Sequence, residues 1–260
     1  MRKILLLVLF TALLVTGCSN EPSTEHTTLV VGLDDEFPPI GFRNERNELV
    51  GFDVDLAKET LRRMGVECKF KPIDWDKKRE ELTSGNVDMI WNGLDITDER
   101  KEYMIFTKPY MDDRQILLIR KDEPHGIFSE DDLGGRIVGV QVGSSSEDYI
   151  NKSEYLQRTI ASFRTYAKFK ELLSALSRGE IDVIVCDEMV ARYEMNKNPA
   201  QFKIVNVKIG EITGMAVGFR KEDTALRDRV QKVFDEIIDD GTAKKISEKW
   251  FHADLIKYSK

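Results

Sequence analysis

Asp88-Met89-Ile90-Trp91-Asn92-Gly93-Leu94-Asp95-Ile96-Thr97-Asp98-Glu99-Arg100 is the stretch whose reading decides the fold. Val87 to Trp91 is an apolar strand. The chain then turns through Asn92-Gly93, where the bare glycine lets another molecule approach the backbone. Thr97 is placed to cap a helix, with Arg100 three residues later. A strand end, a glycine, polar side chains and a guanidinium thus meet within one turn. Carbonyls and carboxylates suit an ammonium; Arg and free backbone N–H groups suit a carboxylate. A small zwitterion would find both. The plainer reading is a solvated helix, because Glu99-Arg100-Lys101-Glu102 is an ordinary surface pattern, so context has to decide.

The stretch has a counterpart downstream. Leu82-Thr83-Ser84-Gly85-Asn86-Val87-Asp88-Met89-Ile90 aligns with Leu176-Ser177-Arg178-Gly179-Glu180-Ile181-Asp182-Val183-Ile184. Leu, Gly, a β-branched residue, Asp and Ile recur at identical spacing. In each copy a helix ends at a glycine and a strand starts at once. Two such units predict two similar lobes, each an open α/β sheet. Both strands run into polar residues, Asn92-Gly93 in one and Asp187-Glu188 in the other. Chance likeness of two helix–strand connections would not require that.

The rest of the chain extends this plan. Thr28 to Leu33 is a buried strand leading into Asp34-Asp35-Glu36-Phe37-Pro38-Pro39, a polar, proline-stiffened loop. Open α/β sheets bind ligands at such strand ends. After a turn at Asn44 to Asn47, Gly51-Phe52-Asp53 opens a helix with Asp53 as the expected N-cap and Gly65 as its stop. Glu67 to Ile73 is a strand, and Asp74-Trp75-Asp76 leads a short helix to Gly85. A second lobe begins with the strand Gln115 to Ile119. Arg136 to Val142 is a strand, and Ser144 and Glu147 have capping-box spacing at a helix start whose N–H groups favour an anion. Tyr166 to Arg178 is expected to be helical, Ile181 to Cys186 a strand, Glu188 to Asn196 a helix and Phe202 to Val207 a strand. Two helices end the chain, one with Leu226, Val230, Val233 and Ile237 on a face, the other carrying Ile246, Trp250 and Phe251.

Composition limits the partners. The 260 residues carry a net charge of −7 and no long basic stripe, which argues against nucleic acid. Arg2 and Lys3 precede an apolar run, Ile4 to Val15, too short to span a membrane comfortably. It ends in Leu14-Val15-Thr16-Gly17-Cys18, small residues before a cysteine, followed by a polar tether. Cys68 and Cys186 are expected to be buried thiols; their spacing suggests neither zinc nor a disulfide framework. No metal or cofactor site is expected.

The N-terminus resembles a bacterial lipobox, which makes residues 1–17 a signal peptide, Cys18 the lipidated residue and 18–27 a tether. From Val30 to Phe251 the chain resembles family 3 solute-binding proteins, the amino-acid receptors of bacterial ABC importers. The resemblance is carried by Phe37-Pro38-Pro39, Gly51-Phe52-Asp53-Val54-Asp55-Leu56-Ala57, Ser84 to Asp88, Ile96-Thr97-Asp98-Glu99-Arg100, Phe106-Thr107-Lys108-Pro109-Tyr110, Val140 to Ser145 and Lys249-Trp250-Phe251. It implies a two-lobed, type II periplasmic-binding-protein-like fold, with residues 28–110 and 215–260 as lobe 1, 115–209 as lobe 2, and hinges at 111–114 and 210–214. Carried over by position, Arg100 grips a ligand α-carboxylate, helped by backbone N–H groups at Asp95 and Ser145. The Gly93 carbonyl and Asp187 meet the α-ammonium. Phe37 and Trp75 wall the side-chain pocket, with Asp34 and Gln141 at its polar end. Core packing is the competing reading of both aromatics. Asp95 departs from the Ser or Thr of many relatives.

The partners this implies are a free amino acid, an ABC permease and, through the lipid, the outer face of the cytoplasmic membrane; a monomer is expected. Asp34, Asp95 and Asp187 against Arg100 alone would leave carboxylates unpaired, which favours a ligand with a second positive charge. If Asp95 joins Asp187 on the ammonium and Asp34 stays wet, an uncharged polar ligand such as glutamine or cystine is the alternative. Two other classes share the fold. A dehydratase acting on prephenate or arogenate is disfavoured by the Arg100 and Asp187 pair. A receptor's sensing module is disfavoured because no transmembrane helix or kinase-like segment follows.

Overall fold

The computed structural model describes residues 28–257; Cys18 and the leader and tether around it lie outside the described residues. The chain opens with strands β1 (Thr28–Leu33), β2 (Glu36–Phe37), β3 (Gly41–Arg43) and β4 (Leu49–Val50), then helix α1 (Phe52–Arg63) and β5 (Glu67–Pro72). Helix α2 (Lys78–Thr83), β6 (Met89–Ile90), α3 (Asp98–Lys101), β7 (Met104–Phe106) and the long β8 (Met111–Arg120) follow. Next come β9 (Ile137–Gln141), α4 (Ser145–Lys152), α5 (Glu154–Thr159), β10 (Ser162–Tyr166), α6 (Phe169–Ser177), β11 (Val183–Asp187) and α7 (Glu188–Lys197). The chain closes with β12 (Phe202–Met215), β13 (Gly218–Arg220), α8 (Thr224–Asp239) and α9 (Thr242–Phe251).

These elements form two lobes on one plan. The first sheet has the order β5-β1-β6-β13-β7 and the second β10-β9-β11-β8-β12. In each, three parallel strands are followed in fourth place by one antiparallel to them, and the fifth pairs antiparallel with the fourth and so runs the same way as the first three. The repeated helix–strand unit is α2–β6 in one lobe and α6–β11 in the other. Strands β8 and β12 join the lobes. Met111, Asp112 and Asp113 pair with Met215, Gly214 and Thr213, while the Tyr110 N–H donates to the Met215 carbonyl at 2.9 Å. The segments expected as hinges therefore lie within strands β8 and β12, paired at 111–113 with 213–215 and broken by a register shift between Ile209 and Thr213.

One apolar cluster draws on both lobes, and a second lies within the second lobe. Phe52, Trp91, Tyr110 and Phe234 make an aromatic core between α1, α8 and the first sheet, with Trp91 and Tyr110 each 5.5 Å edge-on from Phe234. Full burial of side chains this large contributes roughly 1.5–3 kcal/mol apiece. Leu117, Val138, Val140, Ile150, Val183 and Val185 lie in the core of the second lobe. Among the described residues no helix is long and apolar enough to cross a membrane.

The structure corrects two of the expected helices. Residues 162–166 are strand β10, and the helix expected from Tyr166 begins only at Phe169. Arg164 and Thr165 are exposed on this edge strand, so its apolar pattern is too weak to mark it. Asp53 does not cap α1; Gly51 occupies that position, and Asp53 lies within the first turn. Its carboxylate instead accepts from the Gly93 N–H at 2.6 Å and from the Tyr110 hydroxyl at 2.9 Å. Burial pushes the Asp53 carboxyl up to about 7, against both hydrogen bonds.

Candidate functional site

All nine ligand-contact residues expected from the sequence line one cavity between the lobes: Asp34, Phe37, Trp75, Gly93, Asp95, Arg100, Gln141, Ser145 and Asp187. They gather because the carboxyl ends of β1, β6, β9 and β11 face the same cleft, the position open α/β sheets reserve for ligands. Aromatic walls and two polar ends of different character shape the cavity.

One end is built around Arg100, which is 3 % exposed. Thr97 caps α3 as expected, its hydroxyl accepting from the Arg100 N–H at 3.2 Å. The guanidinium donates from Nη1 to the Asp95 carbonyl at 2.8 Å and from Nη2 to the Gly143 carbonyl of the other lobe at 3.1 Å. Lys78 reaches the same Gly143 carbonyl at 2.7 Å. Burial, with Arg100 nearby, brings the Lys78 ammonium down to about 7. The Ser144 hydroxyl accepts from the Glu147 N–H at 3.1 Å, while the Glu147 carboxylate takes the Gly143 N–H rather than closing a capping box.

Three carboxylates stand beside this end. Asp95, Asp113 and Asp187 each place an oxygen within 4.8 Å of the others. Asp95 accepts from the Thr213 hydroxyl at 2.7 Å and from the Ser145 hydroxyl across the cleft. Gln115 bridges the other two, its Nε2 donating to Asp113 at 2.6 Å and to Asp187 at 2.7 Å, while its Oε1 accepts from Ser146. The Asp113 Oδ1 has no hydrogen-bond partner among the described residues. Burial and the mutual repulsion of the carboxylates push Asp113 well up, and burial with Asp95 nearby pushes Asp187 up to about 7. The trio is a seat for a cation. Among the described residues it is also the one cluster with a metal-ligand count, although an ammonium uses the same oxygens.

The other end is organised by Asp34, 2 % exposed. Its Oδ2 accepts from Gln141 Nε2 at 2.7 Å; its Oδ1 accepts from the Glu36 N–H at 3.1 Å and from Lys168 Nζ at 3.0 Å. Burial works against the Lys168 ammonium, but Asp34 outweighs it and the pKa rises. The expectation that Asp34 is unpaired or wet is thus corrected: it is buried and already has a cation. Phe37 meets Phe169 edge-on at 6.0 Å across the cleft, and Trp75 carries the Lys78 ammonium 5.1 Å from its ring centre. Both aromatics line the cavity and also pack, so the two readings of them hold together.

Sequence reasoning missed four contributors. Asp113 and Gln115 are two apart on one face of β8, and polar residues at alternate positions leading into the apolar run Ile116 to Ile119 were the available signal. Lys168 stands at the N-cap of α6, where Ser, Thr, Asp or Asn is preferred, and that misfit was its signal. Lys78 sits in the run Asp76-Lys77-Lys78-Arg79 and nothing there distinguishes it from a surface lysine. Of the thiols, Cys186 is buried in the cavity wall, whereas Cys68 is only partly buried.

A two-lobed α/β protein with a charged cleft at its strand ends is a solute-binding architecture, and the comparisons agree. The family of bacterial extracellular solute-binding proteins, family 3, matches residues 29–253, and the chain belongs to it. It is 31 % identical over 260 residues to the arginine-binding extracellular protein of Bacillus subtilis (strain 168), covering 96 % of this chain and 98 % of that one. It is 32 % identical over 233 residues to the L-cystine-binding protein of Escherichia coli (strain K12), covering 90 % and 86 %. The substrate-binding protein of an ABC uptake transporter from Streptococcus pneumoniae, solved with bound histidine, superposes with a TM-score of 0.84 at 34 % identity, covering 89 % of this chain and 95 % of that one.

Proposed function

We propose that this protein captures a free L-α-amino acid between its lobes and delivers it to an ABC permease, without chemistry of its own. The observation that carries the reading is the pairing of opposite charges in one cavity: Arg100 beside the α4 N-terminus, and the carboxylates of Asp95 and Asp187, with Asp113 close behind them. A zwitterion satisfies both. Its carboxylate takes the guanidinium and N–H groups, and its ammonium takes Asp187, the Gly93 carbonyl and Asp95. The arginine, cystine and histidine bound by similar proteins fit the same ligand class.

In this reading residues 28–110 and 215–260 form lobe 1, residues 115–209 form lobe 2, and the segments 111–114 and 210–214 bend as the cleft opens. Hydrogen bonds from Arg100 and Lys78 to Gly143 and from Ser145 to Asp95 favour the closed state, and ligand contacts spanning both lobes bias it further. Cys18 carries the lipid and holds the monomer on the outer face of the membrane.

Thermal-shift and calorimetric titration with the standard amino acids tests the binding. A ligand at a hundred times its dissociation constant adds about 2.7 kcal/mol of stability. One or a few amino acids should produce such a shift, and a flat panel would refute the reading. Mass spectrometry of the mature N-terminus tests the anchor: lipidated Cys18 is expected, and Cys18→Ala should abolish membrane partitioning.

A further inference from the structure

We propose that Lys168 determines the side-chain charge this cleft accepts, by acting as a built-in counterion for Asp34; the inference rests on the amino-acid reading above. Asp34 lines the cavity at the end away from Arg100, and it belongs to the lobe opposite Lys168. A carboxylate offers about four acceptor directions. Here Glu36 N–H, Gln141 Nε2 and Lys168 Nζ occupy three, at 3.1, 2.7 and 3.0 Å. One direction remains for a donor on the ligand. The neighbouring Asp35 is taken by Arg43 at 2.6 Å, so it does not claim Lys168.

The charge balance decides what that donor can be. With Lys168 in place the Asp34 charge is balanced where it faces the cavity, the exposed Glu36 acting on Lys168 from outside the lining, and one hydrogen-bond donor from an uncharged amide or hydroxyl completes Asp34. A guanidinium or ammonium would bring a second cation to a carboxylate that already has one. It must either sit beside Lys168 against repulsion or expel it. Expulsion is open to Lys168, because its side chain is 22 % exposed and is not part of the cavity lining. Without Lys168 the same buried carboxylate demands a cation from the ligand. Lys168 therefore acts as a specificity-determining residue, adjusting Asp34 without itself forming the pocket.

The test is calorimetric titration of arginine and glutamine into the full protein, its Lys168→Met variant and its Lys168→Arg variant, with the remaining standard amino acids screened by thermal shift. The ratio of arginine to glutamine association constants should rise about tenfold or more in Lys168→Met, because that variant leaves the buried Asp34 charge without its partner, and stay near the parent value in Lys168→Arg. If glutamine itself does not bind, the same ratio is taken between arginine and the best uncharged amino acid in the screen. Equal weakening of both ligands in Lys168→Met would make the ion pair a mere latch between lobes and overturn the proposal. So would the same loss in Lys168→Arg. If no amino acid binds any of the three proteins, the amino-acid reading itself falls and takes this inference with it; binding in an unchanged order removes only the role of Lys168.

Discussion

In the first lobe α2 ends, Gly85 turns the chain, and Asp88 opens the way into β6; in the second, α6, Gly179, Asp182 and β11 repeat the sequence. The supports match atom for atom. Asp88 accepts the Val30 N–H on its carboxylate and donates its own N–H to the Val30 carbonyl, both at 2.8 Å. Asp182 does the same to Ile137, at 2.8 and 2.9 Å. An arginine at the end of the antiparallel neighbour clamps each turn. Arg220 reaches the Leu82 and Val87 carbonyls at 3.3 and 2.6 Å, and Arg120 reaches Leu176 and Ile181 at 3.1 and 3.0 Å. The outlets differ. β6 is two residues long and breaks into Asn92-Gly93, exposing backbone and leading to Arg100. β11 runs five residues and ends on the Asp187 carboxylate itself. One scaffold thus leads to a guanidinium after one strand and ends the other on a carboxylate.

The sharpest way to break this comparison is to remove each outlet. Arg100→Ala strands a ligand carboxylate in a buried site, which costs about 2–5 kcal/mol, roughly thirtyfold to several thousandfold in affinity. Asp187 behaves differently, because its carboxyl is pushed up to about 7 and an ammonium binds its ionised form. The folded, ligand-free site holds a proton below that value and must release it on binding, so affinity is full above about pH 7 and falls as pH drops. The decline should approach about tenfold per pH unit. Asp187→Asn should bind more weakly at pH 8 and lose most of the slope. Titrations in buffers of different ionisation enthalpy would count the proton; a flat wild-type profile would show that Asp187 is ionised before the ligand arrives.

The clamps come next in size. Arg120→Met and Arg220→Met each free two carbonyls from a charged donor, and hydrogen bonds to charged groups contribute about 1.5–3 kcal/mol. Each variant should lose about 2–4 kcal/mol in urea unfolding, with similar m-values. A loss confined to one of them would mean that the two units share sequence but not mechanics.

Much of this was legible beforehand. The repeat announces itself because Gly and Asp recur at fixed spacing and each has a local job, stopping a helix and bracketing a strand. The cavity residues were legible because strand ends, a capped Arg and a Pro-stiffened loop are local signals. The clamp arginines are visible too, once Arg120-Lys121-Asp122-Glu123 is set beside Arg220-Lys221-Glu222-Asp223, but only pairing shows which carbonyls they hold. Asp53 was misread because a cap and a tertiary acceptor look alike next to a helix start; its partners Gly93 and Tyr110 are 40 and 57 residues away. Lys168 and Asp113 escaped for the same reason. Their meaning lies in charges from other strands, and no window of sequence contains them.

The smallest effect separates the two aspartates. Asp88→Ala and Asp182→Ala each orphan one strand N–H, of Val30 or of Ile137, and both side chains are partly exposed, which places the cost near the low end of the range, about 1 kcal/mol. The units are not identical here. Arg220 also lies 3.4 Å from the Asp88 carboxylate, with side chains 16 % and 27 % exposed, whereas Arg120 pairs instead with the exposed Asp122 at 3.8 Å. An ion pair that open to water is worth a few tenths of a kcal/mol, up to about 1. Asp88→Ala should therefore be the more destabilising of the two by about that margin, and the excess should shrink in high salt, where partly exposed charges are screened. Adding Arg220→Met should erase it, since the pair is then already broken. Equal losses in low salt would show that Arg220 serves the carbonyls alone, and a larger loss for Asp182→Ala would show that the strand contact, not the charge, is the element the first lobe has weakened.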